Sequence, residues 1–210
     1  MKKYEFILGS SSPRRKELIQ HLGIPFQIVV PNVDETLNPL FSIEEQCLNL
    51  SQLKARCVKE MLMKKSKNTL KVILAADTLV ELDRNKLEKP KNSTEATYML
   101  KCLAGRTHKV VTGLCFYYQD TMENWHNFAT TSTTIVSFHP LSDELIESYV
   151  ATNDGLDKAG AYGIQGFAQC FVQSLQGTYS NVVGLPIDIV VQFLETYLVS
   201  KNLHWKKLFI

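Results

Sequence analysis

The apolar residues of this chain change period repeatedly from one end to the other. That alternation restricts the fold more than any single motif. Tyr4–Leu8 reads as a strand, and Pro13–Leu22 as a helix stopped by Gly23. Phe26–Val30 reads as a second strand, followed by the polar loop "PNVDETLNPLF". Ser42–Lys65 is expected to be a long helix, with apolar residues at Ile43, Cys47, Leu50, Leu53, Cys57 and Met61, close to a 3.6 period. "LKVILAADTLVELD" reads as a buried strand running into a second short strand, ahead of a "DRNK" turn. "STEATYMLKCLAG" is a capped helix ended by Gly105. "HKVVTGLCFYY" and "ATTSTTIVSF", rich in Val, Thr, Ile and aromatics, form a hairpin. "SDELIESYVAT" is a helix with Ser142 at its cap. The glycine-rich segment from Asp157 to Pro186 reads as loop plus strands, and a last helix as Ile187 to about Ser200. Helices interleaved with strands, with a hairpin between them, give an α/β fold on a mixed sheet. A second lobe is expected around the hairpin and the long helix.

The length of 210 residues fits one domain over 1–200 with a surface tail over 201–210. A hydrophobic share of 45% is enough for a real core, and a net charge of +2 lacks the basic excess of a nucleic-acid binder. No apolar run approaches the roughly 18 residues of a membrane span. Cys47, Cys57, Cys102, Cys115 and Cys170 are odd in number and have no C-x-x-C pair. They read as reduced thiols, and the cytoplasm is the expected compartment. The five histidines have no ligand spacing, so no zinc site is expected.

Five segments carry chemistry. In "GSSSPRR", three serines and a proline between a strand and a helix leave backbone N–H groups at a helix start. Ser12 suits the cap and Pro13 the first helical position, while Arg14 and Arg15 add planar forks. This is an anion site suited to phosphate, without P-loop spacing; the plainer alternative is a capped helix with solvated arginines. Asp77 ends the apolar run Val72–Ala76, where ligands gather beyond strand ends. A carboxylate there binds a metal or activates water, or else caps a turn. Lys89, just before Pro90, and Lys54, on the long helix, are either point charges for phosphate or solvated side chains. In "DKAGAYGIQG", glycines at 160, 163 and 166 allow close approach or positive φ, and Gln165 carries an amide that can read a base edge. His108, in "LAGRTHKVVTG", reads as structural or hydrogen-bonding rather than catalytic.

Taken in order, "SSSPRRKELI", "VDE", "AADTLVE", "EKP", "LAGRTHKVVTG", "DKAGAYGIQG" and "YSNVVGLPI" resemble the Maf family of nucleoside triphosphate pyrophosphatases, from about Tyr4 to the region of Val190. The resemblance implies an elongated mixed sheet with flanking helices and two lobes around a central cleft. It implies hydrolysis between the α- and β-phosphates, giving a nucleoside monophosphate and pyrophosphate, with Mg²⁺ or Mn²⁺ resting on Asp77 and Glu35. "DKAGAYGIQG" is similar to the branch acting on dTTP and UTP. By position, Arg14, Thr78 and Gln165 correspond to its specificity residues and Asp77 to its proton acceptor. Glu35, Lys54 and Lys89 correspond to other residues of the cleft and are expected to be catalytic with Asp77, while Ser10 and Arg15 of the first loop are expected to bind the triphosphate. "NDGLDKAG" departs from the Gly-Glu-Pro of many members, and "GSSSPRR" from an Ala-Ser start. The resemblance also implies a homodimer, with a pyrimidine nucleoside triphosphate as substrate, plain or modified. A nucleotide-binding regulator of cell division that does not turn over is the alternative.

Overall fold

The computed structural model describes residues 3–63, 69–198 and 205–209. Its strands are β1 (Tyr4–Leu8), β2 (Phe26–Ile28), β3 (Leu70–Leu82), β4 (Asn85–Leu87), β5 (Thr107–Gln119), β6 (Trp125–Phe138) and β7 (Val172–Gln176). The helices are α1 (Pro13–His21), α2 (Ile43–Leu62), α3 (Ser93–Leu103), α4 (Asp143–Val150), α5 (Tyr179–Val183) and α6 (Ile187–Phe193). The strands join in one mixed sheet of order β2-β1-β3-β5-β6-β7, with β4 paired to β3. β1 is parallel to both β2 and β3, while β4 runs antiparallel to β3 and β7 antiparallel to β6. This is the α/β fold expected from the alternation.

The chain divides into two compact units: Met1–Asp77, Gly113–Thr131 and Gly184–Ile210 form the first, Thr78–Thr112 and Ser132–Val183 the second. Two units were expected, but their membership differs. The long helix α2 and the tip of the β5–β6 hairpin belong to the first unit, because they pack on β1 and β3. "LKVILAADTLVELD" is one continuous strand, β3, rather than two. The turn after it forms as expected, with Asp83 and Arg84 both at positive φ. The glycine-rich segment holds two 3₁₀ turns, one strand and the short helix α5 rather than several strands.

In the first unit β1 buries both faces. Phe6 and Leu8 join the core formed by Ile19 of α1, Leu74 and Ala76 of β3, and Phe193 of α6. Ile7 points the other way, to Ile73 and Val58 of α2. A parallel strand covered on both sides reads as an unbroken apolar run, as "FIL" and "VILAA" do. α6 continues as a π-helical turn, Leu194–Leu198; the end expected near Ser200 lies outside the described residues, as does Lys65 at the end of α2. The tail is not all surface. Leu208 and Phe209 are buried in this core, and Phe209 bridges to Tyr4 of β1, while Lys206 and Lys207 stay exposed.

The placement of α2 depends on Gly113 of β5. A Cβ there would overlap the Cys47 carbonyl and lie 2.7 Å from the Leu48 nitrogen. The helix backbone rests directly on the strand at this point. Gly113→Ala is expected to destabilise the protein by about 3 kcal/mol, read from urea unfolding, because overpacking here meets backbone rather than a side chain.

In the second unit, α3 and α4 cover Val80, Leu82, Val110, Val136 and Phe138. His108 is structural, as expected. It is buried, its Nε2 lies 2.7 Å from the Tyr162 hydroxyl, and its ring meets Phe138 edge-on. Burial pushes its pKa from 6.5 down to about 4. The unfolded chain therefore holds one more proton between those values, and stability falls as pH drops from about 6.5 to about 4. His108→Gln is expected to remove about 2 kcal/mol of that fall, seen in urea midpoints at pH 7 and 4.5; an unchanged pH slope contradicts it.

Candidate active site

The first loop forms as its residues dictate. Gly9 donates its N–H to the Leu74 carbonyl at 2.7 Å, and a Cβ at Gly9 would press on Val58 and Ala75. Ser12 caps α1, its hydroxyl accepting from Arg15 N, and Pro13 takes the first turn. Ser10 is buried, and its hydroxyl accepts from Ser12 N at 3.2 Å and from Arg15 Nη1 at 3.3 Å.

Arg15 does more than line a loop. Its Nε donates to the Gly184 carbonyl and its Nη1 to the Ala76 carbonyl, each at 2.8 Å. It thereby ties the first loop to the residue before Asp77. Burial lowers its pKa most, Arg14 adds to that, and Asp77 and Glu35 oppose it; an arginine stays charged throughout. Arg14 is half-buried at the second position of α1.

The centre of the first unit's polar cluster is Lys54. It is 7% exposed, on the buried face of α2 with Cys47, Leu50, Ser51, Ala55 and Val58. Its Nζ lies 2.6 Å from Asp77 Oδ1 and 2.9 Å from Glu35 Oε2. Asp77 is 6% exposed, while the Glu35 side chain is 55% exposed. Lys54 is therefore a buried cation between two carboxylates, and the solvated alternative does not hold. The cost of burying the ammonium is offset only by geometry this close.

Asp77 keeps one buried oxygen, Oδ2, without a hydrogen-bond partner among the described residues. A buried carboxylate oxygen left this way is an acceptor awaiting a ligand. Hard oxygens suit Mg²⁺ or Mn²⁺, and Asp77 Oδ2 with the Glu35 carboxylate fits such an ion. The described residues hold no group of three or more His, Cys, Asp or Glu side chains that could bind a metal. Two carboxylates suffice for an ion that takes its remaining ligands from water and phosphate.

Thr78, Lys89 and Gln165 lie in the second unit. Thr78 is half-buried, with its hydroxyl 2.9 Å from that of Thr112. Lys89 is exposed, in the segment between β4 and α3. Gln165 is half-buried and extended, immediately before a 3₁₀ turn. Gly160 and Gly166 take positive φ as expected. Sequence reasoning missed Thr112 and Asn181, a buried polar pair inside "VVTG" and "YSNVV". Their signal was a polar residue within an apolar run. A polar cavity of about 330 Å³ in the first unit, with Asn49, Gln52, Arg56 and Tyr117 in its wall, includes none of the expected residues.

Lys54→Met is expected to destabilise the fold by about 3 kcal/mol, because it leaves Asp77 charged and buried. Adding Asp77→Asn is expected to recover at least half of the loss in urea unfolding; strictly additive losses contradict the pairing.

The family model for Maf-like proteins matches residues 5–197. A Bacillus cereus protein named dTTP/UTP pyrophosphatase is 42% identical over 197 residues, 94% of this chain and 91% of its own. A protein of the same name from Bacillus anthracis is 41% identical over 193 residues, 92% of this chain and 95% of its own. Among solved structures, a nucleoside-triphosphatase / dITP/XTP pyrophosphatase from Mycobacterium abscessus is 13% identical with a TM-score of 0.33, over 65% of this chain and 75% of that one. A likeness that slight bears on neither fold nor function. The family match runs from β1 to within the π-helical turn after α6, with relatives above 40% identity across more than nine-tenths of the sequence, and the chain belongs to the Maf family.

Proposed function

We propose that this protein hydrolyses dTTP and UTP between the α- and β-phosphates, releasing pyrophosphate and the monophosphate. The buried Lys54 bridge between Asp77 and Glu35 is the observation that carries this reading. The relatives named dTTP/UTP pyrophosphatase supply the substrate class.

The chemistry needs positioned groups and charge neutralisation more than covalent help. Lys54 holds Asp77 Oδ1, which fixes the carboxylate and leaves Oδ2 to accept from a water. Asp77 then takes the proton as the water attacks. The charges of Asp77, Glu35, Lys54 and Arg15 cancel, so this cluster alone cannot neutralise a triphosphate. Arg14 and the loop N–H groups supply positive charge for the departing pyrophosphate. Mg²⁺ or Mn²⁺, held by Asp77 and Glu35, supplies further neutralisation when bound. Arg15, already engaged with two carbonyls and Ser10, acts by holding the loop in place. Gln165 and Thr78, both in the second unit, are the residues proposed to read the pyrimidine.

The five free cysteines suit a reducing compartment such as the cytoplasm. Among the described residues no helix is long and apolar enough to cross a membrane.

Purified protein with Mg²⁺ is expected to release pyrophosphate from dTTP and UTP, and Asp77→Asn to lose two or more orders of magnitude in kcat while remaining folded. Nucleotide binding with no release would contradict the reading and favour a regulator of cell division. Near-native turnover by Asp77→Asn would remove Asp77 from the mechanism.

A further inference from the structure

Glu35 is the weakly held member of the Lys54 cluster. Asp77 is fixed by its strand and Lys54 by its helix, but Glu35 sits in the segment between β2 and α2, where no helix or strand forms. Its side chain is 55% exposed, and its Oε2 lies 2.9 Å from Lys54 Nζ. A half-exposed ion pair gains little against the entropy of ordering a loop. The pair with Lys54 therefore does not hold this loop in place by itself.

The helix that carries Lys54 also grips the loop on both sides of Glu35. Three residues after it, the backbone N–H of Asn38 donates to Gln46 Oε1 at 2.8 Å. Three residues before it, the Asn32 carbonyl accepts from the Cys57 thiol at 3.8 Å. A thiol is a weak donor, so the Gln46 bond is the stronger hold. Both groups belong to α2, and their spacing of three turns puts them along one line of the helix, about 16 Å apart, with Lys54 between them along the axis. The loop is thus stretched along the helix whose lysine its carboxylate must meet.

Gln46 is suited to this task. It is 2% exposed, among the apolar residues Ile43, Cys47 and Leu50 on the buried face of α2. A buried amide there needs a partner, and it has found one in the loop backbone. Asn38 carries the hold onward: its Oδ1 accepts from Leu40 N at 2.9 Å and its carbonyl from Phe41 N at 3.2 Å, which leads directly into the Ser42 cap. On the other side of Glu35 from Gln46, the Asp34 carboxylate accepts from Thr36 N and from the Thr36 hydroxyl, which shapes the turn around Glu35. We propose that Gln46 is a positioning residue that holds the loop so that the Glu35 carboxylate meets Lys54. The part of the proposal that concerns turnover rests on the pyrophosphatase reading.

Hydrogen–deuterium exchange over residues 31–39 tests the hold with no nucleotide present. Gln46→Met keeps the length and removes the acceptor, and exchange there is expected to become about five-fold faster or more. Gln46→Glu keeps an acceptor oxygen and is expected to exchange like wild type. Unchanged exchange in Gln46→Met overturns the proposal. The second measurement is kcat/KM for dTTP by pyrophosphate release. Gln46→Met is expected to lose about ten-fold, and Gln46→Glu to regain most of it. Adding Gln46→Met to Glu35→Gln is expected to cost nothing further, because Gln46 acts through Glu35. An equal loss in the Glu35→Gln background overturns the proposal, since Gln46 would then serve the fold at large. If wild type releases no pyrophosphate from dTTP or UTP, the pyrophosphatase reading fails, and the exchange measurement alone decides whether Gln46 holds the loop.

Discussion

Burying an ammonium group is expensive unless carboxylates meet it at close range, and the first unit is arranged around that requirement at Lys54. Its Nζ sits 2.6 Å from Asp77 and 2.9 Å from Glu35. Asp77 comes from β3, Glu35 from the loop before α2, and Lys54 from α2 itself. The bridge exists only if helix and strand approach closely. Two turns before Lys54, the Cys47 carbonyl lies over Gly113, where no side chain intervenes. Arg15 secures the same strand by bonding the Ala76 carbonyl, one residue ahead of Asp77. Loop, strand and helix thus converge on one carboxylate and leave its buried second oxygen without a hydrogen-bond partner among the described residues.

Most of the fold was legible because its strands and helices follow their own periods. The run Val72–Ala76 reads as a buried strand, and the caps at Ser12 and Ser142 mark helix starts that the structure keeps. The face of α2 was harder to read. Cys47 and Leu50 are buried as expected, but farther along the buried residues are Ser51, Lys54, Ala55 and Val58, while Met61 is 47% exposed. The apolar residues Leu53 and Cys57 suggested a stripe rotated away from Lys54. A pattern reader assigns a lysine to solvent, and here the ion pair outweighs that tendency. Tertiary charge pairing leaves no trace in local hydrophobicity.

Other departures share a cause: contacts between residues far apart in sequence. Arg15 looked like a free fork for phosphate, yet Gly184, 169 residues away, takes its Nε. Phe209 looked like surface until β1 offered it a place beside Tyr4 and Phe6. Thr112, inside an apolar strand, meets the Asn181 carbonyl 69 residues further along the chain, which no local motif connects to it. Residue types at a site can be read from sequence, but the direction of a hydrogen bond requires its far partner.

The central claim is that Lys54 and Asp77 work as one unit in catalysis. The most direct test is a double-mutant cycle on kcat/KM for dTTP with Lys54→Met, Asp77→Asn and the pair. If the two act together, the double variant loses no more than the worse single one. If the losses multiply, the residues act independently and the bridge is a structural ion pair beside the chemistry.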